Sequence, residues 1–177
     1  MAQDLDGRQV GVAAHQLIAE VLRQGDRGLD LEQLFRAVGQ SSLVRERVGS
    51  YRMAARQRLA TAIAVYLRLF APGVEWTFTA CEVQIPGARL DLVFEREDGA
   101  IRADEIKSGQ LSALEQTALE AQLQRQLAGG REHYGPRFLG VRAILLWAPS
   151  KSWLARADGS REPLHLSGIE DGSNVNE

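Results

Sequence analysis

The hydrophobic rhythm of this chain changes once, at Pro72-Gly73, and that change limits the folds open to it. Before it, apolar residues recur at helical spacing. Val10, Ala14, Leu17, Ile18, Val21 and Leu22 mark an amphipathic helix over residues 8–24, closed by Gly25. Asp30 with Gln33 reads as a capping box opening a short helix through Leu34, Phe35 and Val38. A long helical stretch follows over 43–70, with Gly49-Ser50 as a breaking point and Pro72 as its stop. After Pro72-Gly73 the period is two. Residues 74–85, 89–95 and 100–107 read as strands, joined by Pro86-Gly87 and by an Asp98-Gly99 hairpin turn. A helix over 111–127, ended by Gly129-Gly130, leads to a buried strand over 138–148. The predicted fold class is α/β (α+β): a central mixed β-sheet of about four strands flanked by helices. It forms one domain over residues 1–155, helical over 1–70 with the sheet core over 74–148, and 156–177 reads as a flexible tail rich in Asp, Gly, Ser and Asn.

The chain has 177 residues, the length of one ordinary domain, and 45% are hydrophobic, which excludes wholesale disorder. The single cysteine, Cys81, excludes an internal disulfide and any cysteine-built zinc site. No apolar run approaches the ~18 residues of a membrane helix. The first residues lack the basic-then-apolar order of a signal peptide. A soluble, cytoplasmic protein with no membrane partner is expected. Net charge is −2, but its distribution is uneven. Between Ser41 and Phe70 six arginines face only Glu46, so Arg45, Arg52 and Arg56 are candidates for holding a phosphate backbone, or form a solvated helix face. Of the 21 basic residues only Lys107 and Lys151 are lysine. A lysine in so arginine-rich a chain draws notice, because a compact ammonium can be tuned and can orient a water where a guanidinium cannot.

Asp91 lies seven residues before Asp98 and Glu105 seven after it, so a regular hairpin sets the two carboxylates roughly opposite each other. Glu105 and Lys107 share a strand face, with Ile106 turned into the core. Asp91 falls between Leu90 and Leu92 and is expected on the face opposite both. Two acids and an ammonium then cluster on one sheet face. Such a set suits Mg²⁺ or Mn²⁺ bound through oxygen; the alternative is an ordinary cross-strand salt bridge. Glu82, on the preceding strand, either joins the cluster or faces solvent.

These residues resemble the signature of the PD-(D/E)XK nuclease superfamily, an Asp followed by Glu-x-Lys, and more closely its RecB-type branch. The resemblance runs through His15 on the first helix, Gly87-Ala-Arg-Leu-Asp91, Glu105-Ile-Lys107-Ser-Gly109 and Gln122-Leu-Gln-Arg-Gln126, where Gln126 stands at the branch's tyrosine. It implies a restriction-endonuclease-like core and metal-dependent hydrolysis of phosphodiester bonds, with Mg²⁺ or Mn²⁺ as cofactor. Asp91, Glu105, the Ile106 carbonyl and His15 would be ligands. Lys107 would position the attacking water, and Gln122 would help place substrate or water. Read without the resemblance, His15 is a structural histidine at the rim of an apolar face and Gln126 a solvated helix residue. Tyr134, Trp147 and Trp153 are base-stacking candidates or core aromatics. His133 and His165 fall in expected loops and receive no role.

The reading that follows is a nuclease acting on DNA. No Gly-Lys dipeptide, and so no Walker A loop, is present, so unwinding would fall to a separate helicase or ATPase. The alternatives are a catalytically inactive nuclease-fold subunit that binds DNA or assembles a larger complex, and an unrelated α+β protein with surface ion pairs.

Overall fold

The computed structural model describes residues 7–25, 30–41 and 53–166. Among the described residues three helices come first: α1 (Gly7–Gln24), α2 (Leu31–Gln40) and α3 (Met53–Leu69). Asp30 and Gln33 form the reciprocal capping box at the start of α2. Arg45, Arg52 and Gly49-Ser50 lie outside the described residues. A meander follows, β1 (Trp76–Ile85), β2 (Ala88–Arg96) and β3 (Ile101–Lys107), then α4 (Ala113–Tyr134), β4 (Phe138–Leu145), β5 (Trp153–Arg156) and β6 (Arg161–Pro163). The six strands form one sheet in sequence order. All neighbours are antiparallel except β3 and β4, which pair in parallel across the α4 connection.

The sheet separates two cores. On one side α1, α2 and α3 close over Trp76, Leu92, Phe94, Ile106 and Ile144. On the other, Leu119, Leu123 and Leu127 of α4 close over Leu90, Val93, Ala103, Val141 and Trp153. A mixed sheet flanked by helices is therefore present, with six strands where about four were expected. The two extra strands are short: β5 has four residues and β6 three. They form a hairpin that turns through Gly159 at φ +93°, so the expected tail contributes the last strand of the sheet. The strand expected to run to residue 148 ends at Leu145, where a 3₁₀ turn over Pro149–Lys151 redirects the chain.

Helix α4 also departs from expectation. It runs through Gly129 and Gly130 and stops at Gly135, which takes a left-handed φ of +64° and is followed by a proline. The glycine pair is a contact point. A Cβ on Gly129 would lie 2.2 Å from the Pro86 carbonyl oxygen, and one on Gly130 would lie 2.3 Å from the Phe138 ring. Small residues there bring α4 down onto the β1–β2 turn and the start of β4.

A buried ionic lock fastens the opposite side. Asp104 on β3 accepts from Arg142 on β4 through both carboxylate oxygens, at 2.7 Å and 2.6 Å. Tyr66 of α3 donates its hydroxyl proton to Asp104 at 2.7 Å, and Arg142 donates to the Phe70 carbonyl at 2.8 Å. Burial drives the Tyr66 pKa well above its ordinary value, and the neighbouring Asp104 charge pushes it the same way. The lock ties the end of α3 to the central strand pair. Arg142→Met would strand the Asp104 charge and should cost about 3–5 kcal/mol of unfolding free energy, against about 1 kcal/mol for Tyr66→Phe, both read from urea denaturation midpoints.

Candidate metal centre

β1 and β2 exchange faces together at one rung. Residues two apart on a strand ordinarily share a side. Yet Cys81 packs with the core under α1–α3 and Val83 with the core under α4. Their partners make the same switch: Leu92, opposite Cys81, lies in the first core, and Leu90, opposite Val83, in the second. Asp91 is thus not on a face opposite both leucines, as simple alternation predicts. It sits at the changeover, level with Glu82. Glu82 accommodates the switch with a left-handed backbone, φ +55°, which no other non-glycine among the described residues adopts. Such a conformation costs about 1–3 kcal/mol and concentrates at working sites.

The two carboxylates meet His15 of α1. Its Nδ1 lies 3.4 Å from Asp91 Oδ2 and 3.6 Å from Glu82 Oε1, and its Nε2 lies 3.0 Å from the Ile106 carbonyl oxygen. A tautomer with the proton on Nε2 donates it to that carbonyl and leaves the Nδ1 lone pair facing the acids. One ligand atom from each of His15, Glu82 and Asp91 lies within 4.8 Å of the other two. A nitrogen and two carboxylates at that spacing could hold a divalent cation.

β2 parts from β3 at the same place. Their pairing runs as far as Leu92 opposite Asp104. One step on, where Asp91 and Glu105 would pair, the Ile106 N–H donates to the Asp91 carboxylate at 3.0 Å instead. The ladder stops one rung short of Asp91 and Glu105, and the two sense each other only through charge. Glu105 itself is turned toward α4. Its Oε1 accepts from Lys107 Nζ at 2.5 Å and its Oε2 from Gln126 Nε2 at 2.6 Å. Lys107 also donates to Gln122 Oε1 at 3.2 Å. Glu105 and Lys107 share a face and Ile106 is in the core, as the alternation predicts. Glu105 lies outside the three-residue cluster, and Glu82 stands in it.

Gln126 has a different place from the solvated one expected. It is fully buried, and its amide donates both to Glu105 and to the Arg89 carbonyl at 2.7 Å. The signal for this is its position on the Leu119, Leu123, Leu127 stripe. Arg89 is a further neighbour that the sequence did not bring forward. Its guanidinium lies 2.6 Å from Glu82 Oε2 and 3.9 Å from Asp91 Oδ1. Other candidates are spread out. Arg56 lies against the Phe35 ring at 4.6 Å, within the helical layer. Trp153 is core, Tyr134 stacks on Phe138, and Trp147 is half-buried with Lys151 Nζ 6.0 Å from its ring. His133 and His165 are exposed, His133 in the last turn of α4.

Burial raises the Asp91 pKa from 3.8 to about 7, and the Glu105 charge adds to the effect. Burial works against the imidazolium of His15, but Asp91, Glu82, Glu105 and the Ile106 carbonyl together outweigh it, and its pKa is raised. Carboxylates held this close favour a bound proton or cation. Comparison with protein-family models, with curated proteins and with solved structures gave no match. No described helix is long and apolar enough to cross a membrane.

The raised Asp91 pKa has a definite sign in stability. The unfolded chain loses this proton near pH 4 and the folded, metal-free protein near 7, so its stabilising contribution is full at low pH and lost as pH rises through that window. Asp91→Asn keeps an oxygen for the Ile106 N–H and removes the charge. It should match the wild type near pH 4 and exceed it increasingly up to pH 7, then hold that margin above it. Urea unfolding across pH in the presence of a chelator reads this directly.

Proposed function

We propose that the protein is a metal-dependent nuclease that hydrolyses phosphodiester bonds of DNA, with Mg²⁺ or Mn²⁺ as cofactor. The observation that carries the reading is the rung at which Glu82 and Asp91 are turned, at the cost of a strained backbone, toward His15 and beside Glu105–Lys107. The resemblance of His15, Asp91 and Glu105-Ile-Lys107 to the RecB-type nucleases supports the same chemistry. A bound divalent cation would polarise a phosphoryl oxygen and lower the pKa of water at the site.

The chain's own residues divide the remaining work. His15, Glu82 and Asp91 are the holding set, with Glu105 and the Ile106 carbonyl beside them. Lys107 orients the attacking water and offsets charge that develops on the phosphate. Gln122 fixes the ammonium of Lys107, and Gln126 fixes the carboxylate of Glu105, so the two reactive groups keep their relative positions. Half-exposed Lys107, its side chain 27% accessible, is open to substrate while Glu105 is sealed beneath it.

Incubation of linear and circular DNA with the purified protein and Mn²⁺ should give cleavage that a chelator abolishes. Lys107→Ala should lower the rate by at least about 10²-fold, the scale of losing one charge-stabilising donor. Cleavage unchanged in Lys107→Ala overturns the assignment. Salt-sensitive DNA binding with no cleavage by the wild type selects the inactive, DNA-binding subunit instead. Mn²⁺ should also raise the thermal midpoint of the wild type and leave that of Asp91→Asn unmoved.

A further inference from the structure

Arg89 occupies an unusual position for a half-exposed arginine. Its backbone is fixed from below, because Gln126, buried in α4, donates to the Arg89 carbonyl and to Glu105 with the same amide nitrogen. Its side chain reaches over the rim of the candidate centre. One guanidinium nitrogen is 2.6 Å from Glu82 Oε2 and another is 3.9 Å from Asp91 Oδ1. The fork therefore spans the two carboxylates that face His15. The Arg89 side chain is 44% accessible while Asp91 is 2% accessible, so the positive charge enters from solvent and the acids lie beneath it.

We infer that Arg89 is a built-in counter-ion, standing at Glu82 where a divalent cation is to bind, and that its guanidinium turns to a phosphate of the nucleic acid once the cation is taken up. The inference rests on the nuclease reading and adds to it a link between metal and substrate. Two facts of chemistry carry it. A carboxylate pair cannot serve a guanidinium and a divalent ion at full strength at once, so the two cations compete for Glu82. A guanidinium released there has its backbone pinned and its planar fork free, which matches the paired oxygens of a phosphodiester. The competition makes metal binding weaker than the acids alone would give. The release makes nucleic-acid binding stronger when metal is present. By linkage each ligand then favours the other.

The test is calorimetric titration of Mn²⁺ into the full chain, without nucleic acid, for the wild type, Arg89→Met and Arg89→Lys. Arg89→Met should bind Mn²⁺ about fivefold more tightly, the scale of one partly exposed ion pair removed as competitor. Arg89→Lys retains the charge and should stay near the wild type, which also guards against a folding defect in the methionine variant. In a second arm, carried out in the Lys107→Ala background to prevent turnover, Mn²⁺ should strengthen binding of a fluorescent oligonucleotide. That gain should be several-fold larger with arginine at this position than with Arg89→Met. Equal or weaker Mn²⁺ affinity in Arg89→Met overturns the inference and leaves the nuclease reading standing, and so does an equal gain in the second arm. No Mn²⁺ uptake by any of the three proteins overturns both.

Discussion

A sheet between two cores must send alternate side chains to opposite sides, and here two adjacent strands break that rule at the same rung. The break at Glu82 and Asp91 is the constraint on which the site depends. It turns two acids toward His15 and moves β2 off β3, so that a carboxylate takes the ladder's place at Ile106 N–H. The costs are a left-handed glutamate and a desolvated aspartate. They are offset because both cores continue unbroken past the rung: Cys81 and Leu92 pack on one side, Val83 and Leu90 on the other. The Asp104–Arg142 lock, with Tyr66, holds β3 to β4 one residue before Glu105 and keeps the strand that carries Glu105, Ile106 and Lys107 in place.

Helix α4 completes the arrangement from the second face. Its glycine pair allows an approach that a single methyl group would block. That approach seats Gln126 deep enough to reach Glu105 and the Arg89 backbone, with Gln122 one turn earlier at Lys107. Packing of small residues at one end of the helix therefore sets hydrogen-bond geometry four and eight residues away. Glu105 and Lys107 are positioned by a helix, and Glu82 and Asp91 by a distortion of the sheet.

Much of this is legible in the sequence because it depends on local chemistry. The Asp98-Gly99 turn fixes the β2–β3 register as far as Leu92 and Asp104, one rung short of Asp91 and Glu105. Period-two alternation fixes Glu105 and Lys107 on one side. The capping box of α2 can be read from Asp30 and Gln33 alone. What is not legible depends on contacts far apart in the chain. Nothing near Glu82 announces a left-handed residue, since the face exchange is shared with a partner strand. Gly129-Gly130 has the composition of a helix stop, and only the Pro86 carbonyl and the Phe138 ring explain why it is a packing contact. Gln126 carries a polar side chain on an apolar stripe, and its worth depends on a carboxylate that lies on another element. The strands β5 and β6 are too short for periodicity to register.

The face exchange also has a mechanical meaning. Because β1 and β2 are each anchored in both cores, the rung that carries the acids is held from both sides of the sheet, while the acids themselves face His15 of α1. Strain at this rung is therefore shared by both cores, and a substitution on either side of the sheet bears on the acids through the same pair of strands.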